Sequence, residues 1–490
     1  MALKTLADLF ADQALAPEAG ACSVAGLSAD SRAIKPGFVF FAVPGTKADG
    51  LAFASQAIAA GAVAIVCHKA PADRTPALHW IEVEDVRLVL ANAAAAFYPR
   101  QPQTIVAVTG TSGKTSVAAF VRQIWLECGY QAAALGTTGV VTPSGAVYGS
   151  LTTPDPVSLH KTLDQLAAEG VTHLAMEASS HGLDQHRLDG VRLTAGAFTN
   201  LSRDHLDYHP DLISYLAAKM RLFNSLLKPG QGAVIDADSE IAGQVLKTCR
   251  DRGLVVMTTG QHGADIKIIE AVNEASQTRL HLQHQGKTYK IVLPLAGAFM
   301  ASNALVAAGL CISSGSAAAR VFAALEHLEG APGRLERVGE LRGAPVFVDY
   351  AHKPDALEKV LQTLRPVTQG KLIVVFGCGG DRDSGKRPIM GEIAVRNADT
   401  VIVTDDNPRS EVPAKIRAAI LEAAPGAIEI ADRAAAIYEA VSMLRHGDAL
   451  IVAGKGHETG QIVGDTVLHF SDHEAVRAAI TALAAKDFRV

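Results

Sequence analysis

Thr104-Ile105-Val106-Ala107-Val108-Thr109-Gly110-Thr111-Ser112-Gly113-Lys114-Thr115-Ser116 is the stretch on which the fold class turns. Its first half is apolar and β-branched, the composition of a buried strand. Its second half holds two glycines, a lysine and two threonines, and an apolar helical period through Val121 and Ile124 follows. A strand, a glycine-rich turn and a helix in that order make a phosphate cradle. Glycine lets backbone N–H groups approach phosphate oxygens, the helix N-terminus adds positive potential, and Lys114 neutralises terminal phosphate charge. Thr115 is then placed to put its hydroxyl on Mg²⁺. The spacing is G-x-x-G-K-T; the longer form wants glycine at 108, where this chain has Val108.

Outward from this loop, candidate strands recur at 173–176, 195–198 and 233–235, separated by helix-length segments. That rhythm predicts a parallel sheet with helices on both faces. After a second boundary around Gly330-Ala331-Pro332-Gly333, candidate strands at 346–349, 372–376, 400–404, 428–430 and 449–452 predict a doubly wound α/β unit. Its ligand-contacting loops belong at the strand C-terminal ends. Ahead of the loop, short apolar runs at 38–43 and 63–67 read as a small α/β unit. Tyr98-Pro99-Arg100-Gln101-Pro102 reads as a linker, because two prolines two positions apart disfavour helix. The expected fold is therefore α/β in three domains, residues 1–98, 99–332 and 333–490.

The chain has 490 residues, 49% of them hydrophobic and 19% charged, with 45 Lys and Arg against 50 Asp and Glu. That length gives roughly three domains, and the apolar fraction excludes a disordered chain. A net charge of −5 argues against a protein built to grip nucleic acid. Six scattered cysteines without a CxxC fit reduced, mostly buried thiols rather than disulfides or a zinc ribbon. The N-terminus meets Asp8 and Asp12 before any apolar core and is not expected to be a signal peptide. The apolar stretch 293–314 is rich in Ala and Gly and interrupted by Ser302 and Asn303, so it reads as a buried helix rather than a membrane span. The expected protein is soluble, cytoplasmic and monomeric.

Two polar clusters follow strands of the same sheet as the phosphate loop. They are Glu177-Ala178-Ser179-Ser180-His181-Gly182-Leu183-Asp184-Gln185-His186-Arg187 and Asn200-Leu201-Ser202-Arg203-Asp204-His205-Leu206-Asp207-Tyr208-His209. All three can converge on one crevice. His205 and His209 alone lack a third ligand at zinc spacing; oxygen ligands and one imidazole around nucleotide-bound Mg²⁺ fit better. Four more polar loops begin where C-terminal apolar runs end: Asp349-Tyr350-Ala351-His352-Lys353-Pro354-Asp355, Gly377-Cys378-Gly379-Gly380-Asp381-Arg382, Asp405-Asp406-Asn407-Pro408-Arg409 and Gly454-Lys455-Gly456-His457-Glu458. One such loop is usually solvated surface, but four at one sheet edge suggest a site.

With Asp30-Ser31-Arg32 and Pro36-Gly37 added, these ordered motifs span nearly the whole chain, which resembles the Mur ligases. Within them it is most similar to those that add meso-2,6-diaminopimelate to UDP-N-acetylmuramoyl-L-alanyl-D-glutamate in peptidoglycan precursor synthesis. The resemblance implies a UDP-binding N-terminal domain, a central P-loop ATPase domain and a Rossmann-like C-terminal domain. It also implies ATP and Mg²⁺ as cofactors, and an acyl phosphate on the D-glutamyl carboxylate.

By the same resemblance, Ser31, Thr46, Lys47 and Ala48 hold the uridine diphosphate end, and Thr152, Thr153, Ser179, Gln185 and Arg187 the muramoyl peptide. Gly110, Thr111, Ser112, Gly113, Lys114, Thr115 and Ser116 bind ATP, with Asn303 near adenine and Arg334 and Asp349 near ribose and phosphates. Thr115, Glu177, His205 and Lys219, the last as a carbamate, are the Mg²⁺ set. Lys114, His205, Lys219 and His352 serve catalysis. Arg382, Asp406, Asn407, Pro408, Arg409, Gly454 and Glu458 form the diaminopimelate site.

The family pattern is not followed everywhere. Ser112 stands where many members have asparagine, Met300 where asparagine often follows the phenylalanine, and Lys353 where threonine is usual. A folylpolyglutamate synthase also couples ATP to amide formation, but the unit carrying Asp30-Ser31-Arg32 argues against it. A lysine-adding Mur ligase should lack the arginine that follows Asp406-Asn407-Pro408. A P-loop switch would hydrolyse nucleotide without an acceptor.

Overall fold

Alternate residues of the strand Thr104–Thr109 enter two different cores: Val106 and Val108 lie on one side of the sheet, Ile105 and Ala107 on the other. Both faces of this strand are covered, which is why its sequence is a continuous apolar run rather than an alternation. The helices Lys114–Glu127 and Ala298–Ser313 cover one face and Pro156–Ala168 the other. The computed structural model describes residues 4–13, 15–45, 49–72, 74, 78–147, 151–205, 208–274 and 277–487.

The central sheet has its parallel strands in the order Ala132–Gly136, His173–Glu177, Thr104–Thr109, Ala195–Phe198, Gly232–Asp236, Val255–Gly260. The three loops that carry the phosphate cradle and its two companion clusters therefore leave neighbouring strands at one edge. Antiparallel pairs lengthen both ends of the sheet, although Ile266–Asn273 itself joins Val255–Gly260 in parallel. Gly139–Thr142 and Gly145–Val147 extend one end; Ile266–Asn273, Thr278–His284 and Lys287–Leu293 extend the other. Sequence reading placed no strands there, although burial alternates strictly along Thr278–His284, the period-2 signal of a half-buried strand. The stretch 293–314 holds the end of a strand and then a 16-residue helix whose side chains are buried along most of its length. Among the described residues no helix is long and apolar enough to cross a membrane.

Ahead of this sheet, Gly26–Ser28, Phe38–Phe41, Ala64–Cys67 and His79–Glu82 form a four-stranded parallel sheet. Asp30 caps the short turn Ser31–Ala33 by accepting from the Arg32 amide, which gives Asp30-Ser31-Arg32 a local structural cause. Arg100 then pins the linker to the central unit through a bidentate pair with Asp164. All six cysteines are free thiols, five of them buried.

The C-terminal sheet runs Glu336–Leu341, Ala344–Asp349, Ala449–Ala453, Leu372–Phe376, Thr400–Val403, Ile428–Glu429, with only the first strand antiparallel. Four adjacent parallel strands thus deliver the four polar loops to one edge, as expected from an open α/β sheet. Beneath that edge lies an ion pair with no solvent exposure on either side chain. Arg433 grips Asp472 bidentately at 2.7 and 2.8 Å and donates to the Ala453 carbonyl at 2.9 Å. Removing one partner strands a buried charge. Asp472→Ala should lower the opening free energy of the strand Ala449–Ala453 by about 3–5 kcal/mol in native-state hydrogen exchange. The double variant Arg433→Met/Asp472→Leu should recover most of that loss.

Candidate active site

Glycine is required at both turns of the phosphate loop. Gly110 has φ +144° and Gly113 φ +88°, and an added Cβ would sit 1.9 Å from Thr199 Oγ1 at the first and 2.3 Å from Asn303 Oδ1 at the second. The neighbouring loop fixes the cradle from below. Thr199 Oγ1 donates to the Ser112 carbonyl at 2.7 Å, and the Ser112 amide donates to Asn200 Oδ1 at 3.0 Å. Thr111 Oγ1 accepts from the Ser202 amide at 2.9 Å. The helix then begins at Lys114, so its first amides face the cleft.

Positive charge gathers around one carbonyl oxygen. Lys114 Nζ donates to the Gly110 carbonyl at 2.8 Å and to that of Thr111 at 3.0 Å; Lys219 Nζ donates to the same Gly110 carbonyl at 2.8 Å. Burial, aided by Lys353, pushes the Lys114 ammonium down to about 8. Burial and then Lys114 push Lys219 well below its ordinary value. Lys219 sits on the helix Leu212–Arg221, capped by Asp211, and lies 4.1 Å from the centre of the Tyr215 ring. The C-terminal unit contributes Lys353, which pairs with Asp204; Asp204 also lies 3.1 Å from His205 Nε2. Burial works against the Asp204 carboxylate, but Lys353 and His205 hold it well below the usual range. Burial pushes the His205 imidazole down to about 3, so it is neutral at pH 7.

Glu177 is 1% exposed and accepts from the Thr137 amide at 2.7 Å and hydroxyl at 3.1 Å. With Thr115 and His205 it lines the same cleft. A hydroxyl, a carboxylate and an imidazole suit a hard divalent cation whose shell is completed by phosphates and waters. Among the described residues no group of three His, Cys, Asp or Glu side chains could hold a metal by itself, so a zinc cage from His205 and His209 finds no support there.

The residues assigned to the peptide form one network. Thr153 Oγ1 donates to the Glu177 carbonyl at 2.9 Å and accepts from Ser179 Oγ at 3.1 Å. Ser179 also caps its helix through the Gly182 amide. Arg187 donates to the Thr153 carbonyl at 2.7 Å and to Gln185 Oε1 at 2.7 Å, while Thr152 Oγ1 lies 3.1 Å from Thr137 Oγ1. Ser31 is elsewhere, in the N-terminal sheet unit, bonded to Gln56 at 2.9 Å. Thr46, Lys47 and Ala48 lie outside the described residues, as do Leu206 and Asp207.

Arg334 joins the C-terminal unit to the cradle. Its guanidinium donates to Thr115 Oγ1 at 3.0 Å and lies 4.5 Å from the centre of the Tyr350 ring. Asp349, fully buried, is pushed up to about 6 by that burial, with Arg334 opposing. Asn303 abuts Gly113, and His352 lines the cleft with Nδ1 2.8 Å from the Tyr350 carbonyl oxygen. Central and C-terminal residues together enclose a cleft of about 240 Å³.

At the far edge, Asn407 Nδ2 donates to Glu458 Oε2 at 3.0 Å, and Asp406 is 6% exposed. Gly454 has φ +113°, and a Cβ there would stand 2.7 Å from Asp406 Oδ2. Arg409 Nη1 donates to the Gly380 carbonyl at 2.8 Å, and Arg382 is exposed on the loop beyond it. Sequence reading missed Lys455, which is 0% exposed and donates to Asn407 Oδ1 at 3.1 Å and Glu458 Oε2 at 3.2 Å. It also missed Tyr350, Tyr215, Thr137, and the Lys353–Asp204 pair. Lys455 lay inside a quoted motif, and its place between two glycines was its only signal.

Family models match along the chain in three parts. They are "Mur ligase family, catalytic domain" over residues 23–98, "Mur ligase middle domain" over 108–311, and "Mur ligase, glutamate ligase domain" over 333–456. The chain belongs to the Mur ligase family. A UDP-N-acetylmuramoyl-L-alanyl-D-glutamate--2,6-diaminopimelate ligase of Bradyrhizobium diazoefficiens is 60% identical over 96% of this chain and 98% of its own length. The protein of the same name from Brucella melitensis is 57% identical over 98% and 99%. A solved structure of a ligase of that name matches with TM-score 0.72 and 32% identity, over 98% of this chain and 99% of that one. A Mur ligase of Thermotoga maritima, titled MurF and in complex with ADP, shares the fold at TM-score 0.63 and 18% identity, over 94% and 98%.

On the sequence expectation that Lys114 meets phosphate, deprotonating it removes that charge. The value of kcat/KM for ATP should therefore fall above about pH 8, the free-enzyme limb. Lys114→Arg should abolish that limb between pH 7 and 10 because guanidinium stays charged, and Lys114→Ala should cut kcat by roughly 10³-fold.

Proposed function

We propose that this ligase joins meso-2,6-diaminopimelate to UDP-N-acetylmuramoyl-L-alanyl-D-glutamate with conversion of ATP to ADP and phosphate. The carrying observation is the group of strand ends next to the cleft: Arg409 shares a loop with Asp406 and Asn407, Asn407 bonds Glu458, and Glu458 accepts at 3.3 Å from the hydroxyl of Tyr350, which lines the cleft. Diaminopimelate differs from lysine by a distal carboxylate beside its distal ammonium. Arg409 supplies a planar donor fork for the carboxylate, and the carboxylates of Asp406 and Glu458 meet the ammonium. The identity of 57–60% with relatives bearing this activity in their names supports the same reading.

Residues 1–98 would hold the UDP end, 99–332 the ATP and peptide, and 333–490 the amino acid. The D-glutamyl carboxylate oxygen attacks the γ-phosphorus, the bond to the β-phosphate oxygen breaks, and ADP leaves. The amine then attacks the acyl carbon of the resulting acyl phosphate, and inorganic phosphate departs. Both transition states gather negative charge, which Lys114 and the first amides of the helix Lys114–Glu127 stabilise without reorganising. Arg334 links Thr115 to the C-terminal unit and so brings the amine toward the acyl carbon. Thr115, Glu177, His205 and a Lys219 carbamate would hold Mg²⁺, which supplies charge neutralisation for the phosphates when bound. Burial and Lys114 lower the basicity of Lys219, which favours the neutral amine, the form that takes up CO₂. The proposed location is the cytoplasm.

Diaminopimelate should exceed lysine in kcat/KM by roughly 10³-fold or more, because lysine leaves the Arg409 fork unpaired. Arg409→Ala should raise KM for diaminopimelate at least tenfold and KM for ATP less than twofold; equal use of lysine by the unaltered protein would refute the assignment. Lys219→Ala should lose most ligation, and short carboxylic acids should restore part of it in the same assay.

A further inference from the structure

The strands Gly460–Val463 and Thr466–His469 form a two-stranded antiparallel hairpin outside the C-terminal six-stranded sheet. Val463, Val467 and Leu468 on it are 41, 68 and 50% exposed. A lone hairpin with so little buried apolar surface is marginal by itself. It is seated instead on the loop Asp406-Asn407-Pro408-Arg409. Gln461 Nε2 donates to the Asp406 carbonyl at 2.7 Å, and the Ile462 amide to Asn407 Oδ1 at 2.9 Å. The Arg409 amide donates to the Ile462 carbonyl at 3.0 Å, and the Gly464 amide to the Arg409 carbonyl at 2.8 Å.

The loop needs such a seat. Arg409 has φ +51°, in the left-handed region that a non-glycine residue occupies only where its surroundings hold it. That backbone aims the guanidinium along Gly379 and Gly380: Nη1 bonds the Gly380 carbonyl, and a Cβ on Gly379 would come within 2.8 Å of it. Relaxed to the right-handed region, the same side chain would leave from a rotated Cα–Cβ bond and miss this groove.

We propose that the hairpin is a specificity element of the amino-acid site, with Gln461 as the positioning residue that holds Arg409 for a distal carboxylate. The idea rests on the reading of Arg409 given under Proposed function. Gln461 acts through the loop backbone. Its side-chain amide anchors the Asp406 carbonyl, three residues ahead of Arg409, while the hairpin backbone clamps Arg409 on both sides. Amino-acid choice is thereby set partly by a segment that follows the last strand of the parallel sheet.

The test uses the full-length protein and compares Gln461→Met, Gln461→Glu and Arg409→Ala in ligation assays with diaminopimelate and with lysine. Gln461→Met keeps the length and removes the donor; it should raise KM for diaminopimelate roughly tenfold, with kcat and the KM for ATP within twofold. Gln461→Glu sets a carboxylate against the Asp406 carbonyl and should raise it further. Preference over lysine should shrink in the same order, while the thermal midpoint stays within about 2 °C. If Arg409→Ala raises KM for diaminopimelate and neither Gln461 variant does, the hairpin role is overturned and the site assignment stands. If the Gln461 variants raise both KM values alike or lower the thermal midpoint in proportion, the residue is merely structural and the proposal fails. If Arg409→Ala itself leaves diaminopimelate kinetics unchanged, the site assignment falls and takes the proposal with it.

Discussion

Two buried lysines donate to one backbone oxygen, and much of the site follows from that. Lys114 and Lys219 converge on the Gly110 carbonyl, and Lys353 stands near enough to depress both. Holding the Lys114 ammonium beside Lys353 in a low-dielectric cleft costs free energy that backbone carbonyls only partly offset. On the proposed reading an incoming polyphosphate supplies the missing negative charge. Burial first, and then the same lysines, keep His205 neutral, while the buried Asp204 carboxylate offsets Lys353.

This arrangement also ties the catalytic corner to domain geometry. Lys353 and Arg334 come from the C-terminal unit, yet they contact Asp204 and Thr115 of the central unit. Ser202 adds a hydrogen bond to Asp355 at 3.2 Å across the same boundary. The loops at the C-terminal strand ends are thus tied to the Gly110–Ser116 loop and its neighbours by polar contacts. Polar contacts of this kind exchange readily with water, which suits a boundary that substrates must enter.

At the strand ends proposed for the amino acid, carboxylates and cations are packed together. Asp406, Glu458 and Asn407 crowd around Lys455, whose ammonium is wholly buried, and Arg433 approaches from beneath. Burial pushes the Asp406 carboxyl upward while Arg433 and Lys455 oppose it. The Arg433–Asp472 pair below therefore serves two ends, fixing the last helix to the sheet and setting the potential under the binding loops.

The sequence by itself determined the strand–loop–helix of the phosphate cradle, because two left-handed glycines, a helix-opening lysine and an apolar run are local requirements. It also determined the four C-terminal polar loops, since each starts where a buried strand must stop. The antiparallel extensions of the central sheet were legible only in part. Thr278–His284 alternates cleanly in burial, but its polar face reads like loop in a sequence of mixed composition. Only the tertiary structure decided that Lys219, 105 positions after Lys114, shares its carbonyl partner. Only it showed that Lys353 reaches Asp204, that Lys455 is buried among acceptors, and that a hairpin beyond residue 459 clamps Arg409. The physical reason is range. Backbone conformation and burial pattern are set by neighbours within a few residues, whereas charge pairing depends on which sheet edges the fold brings together.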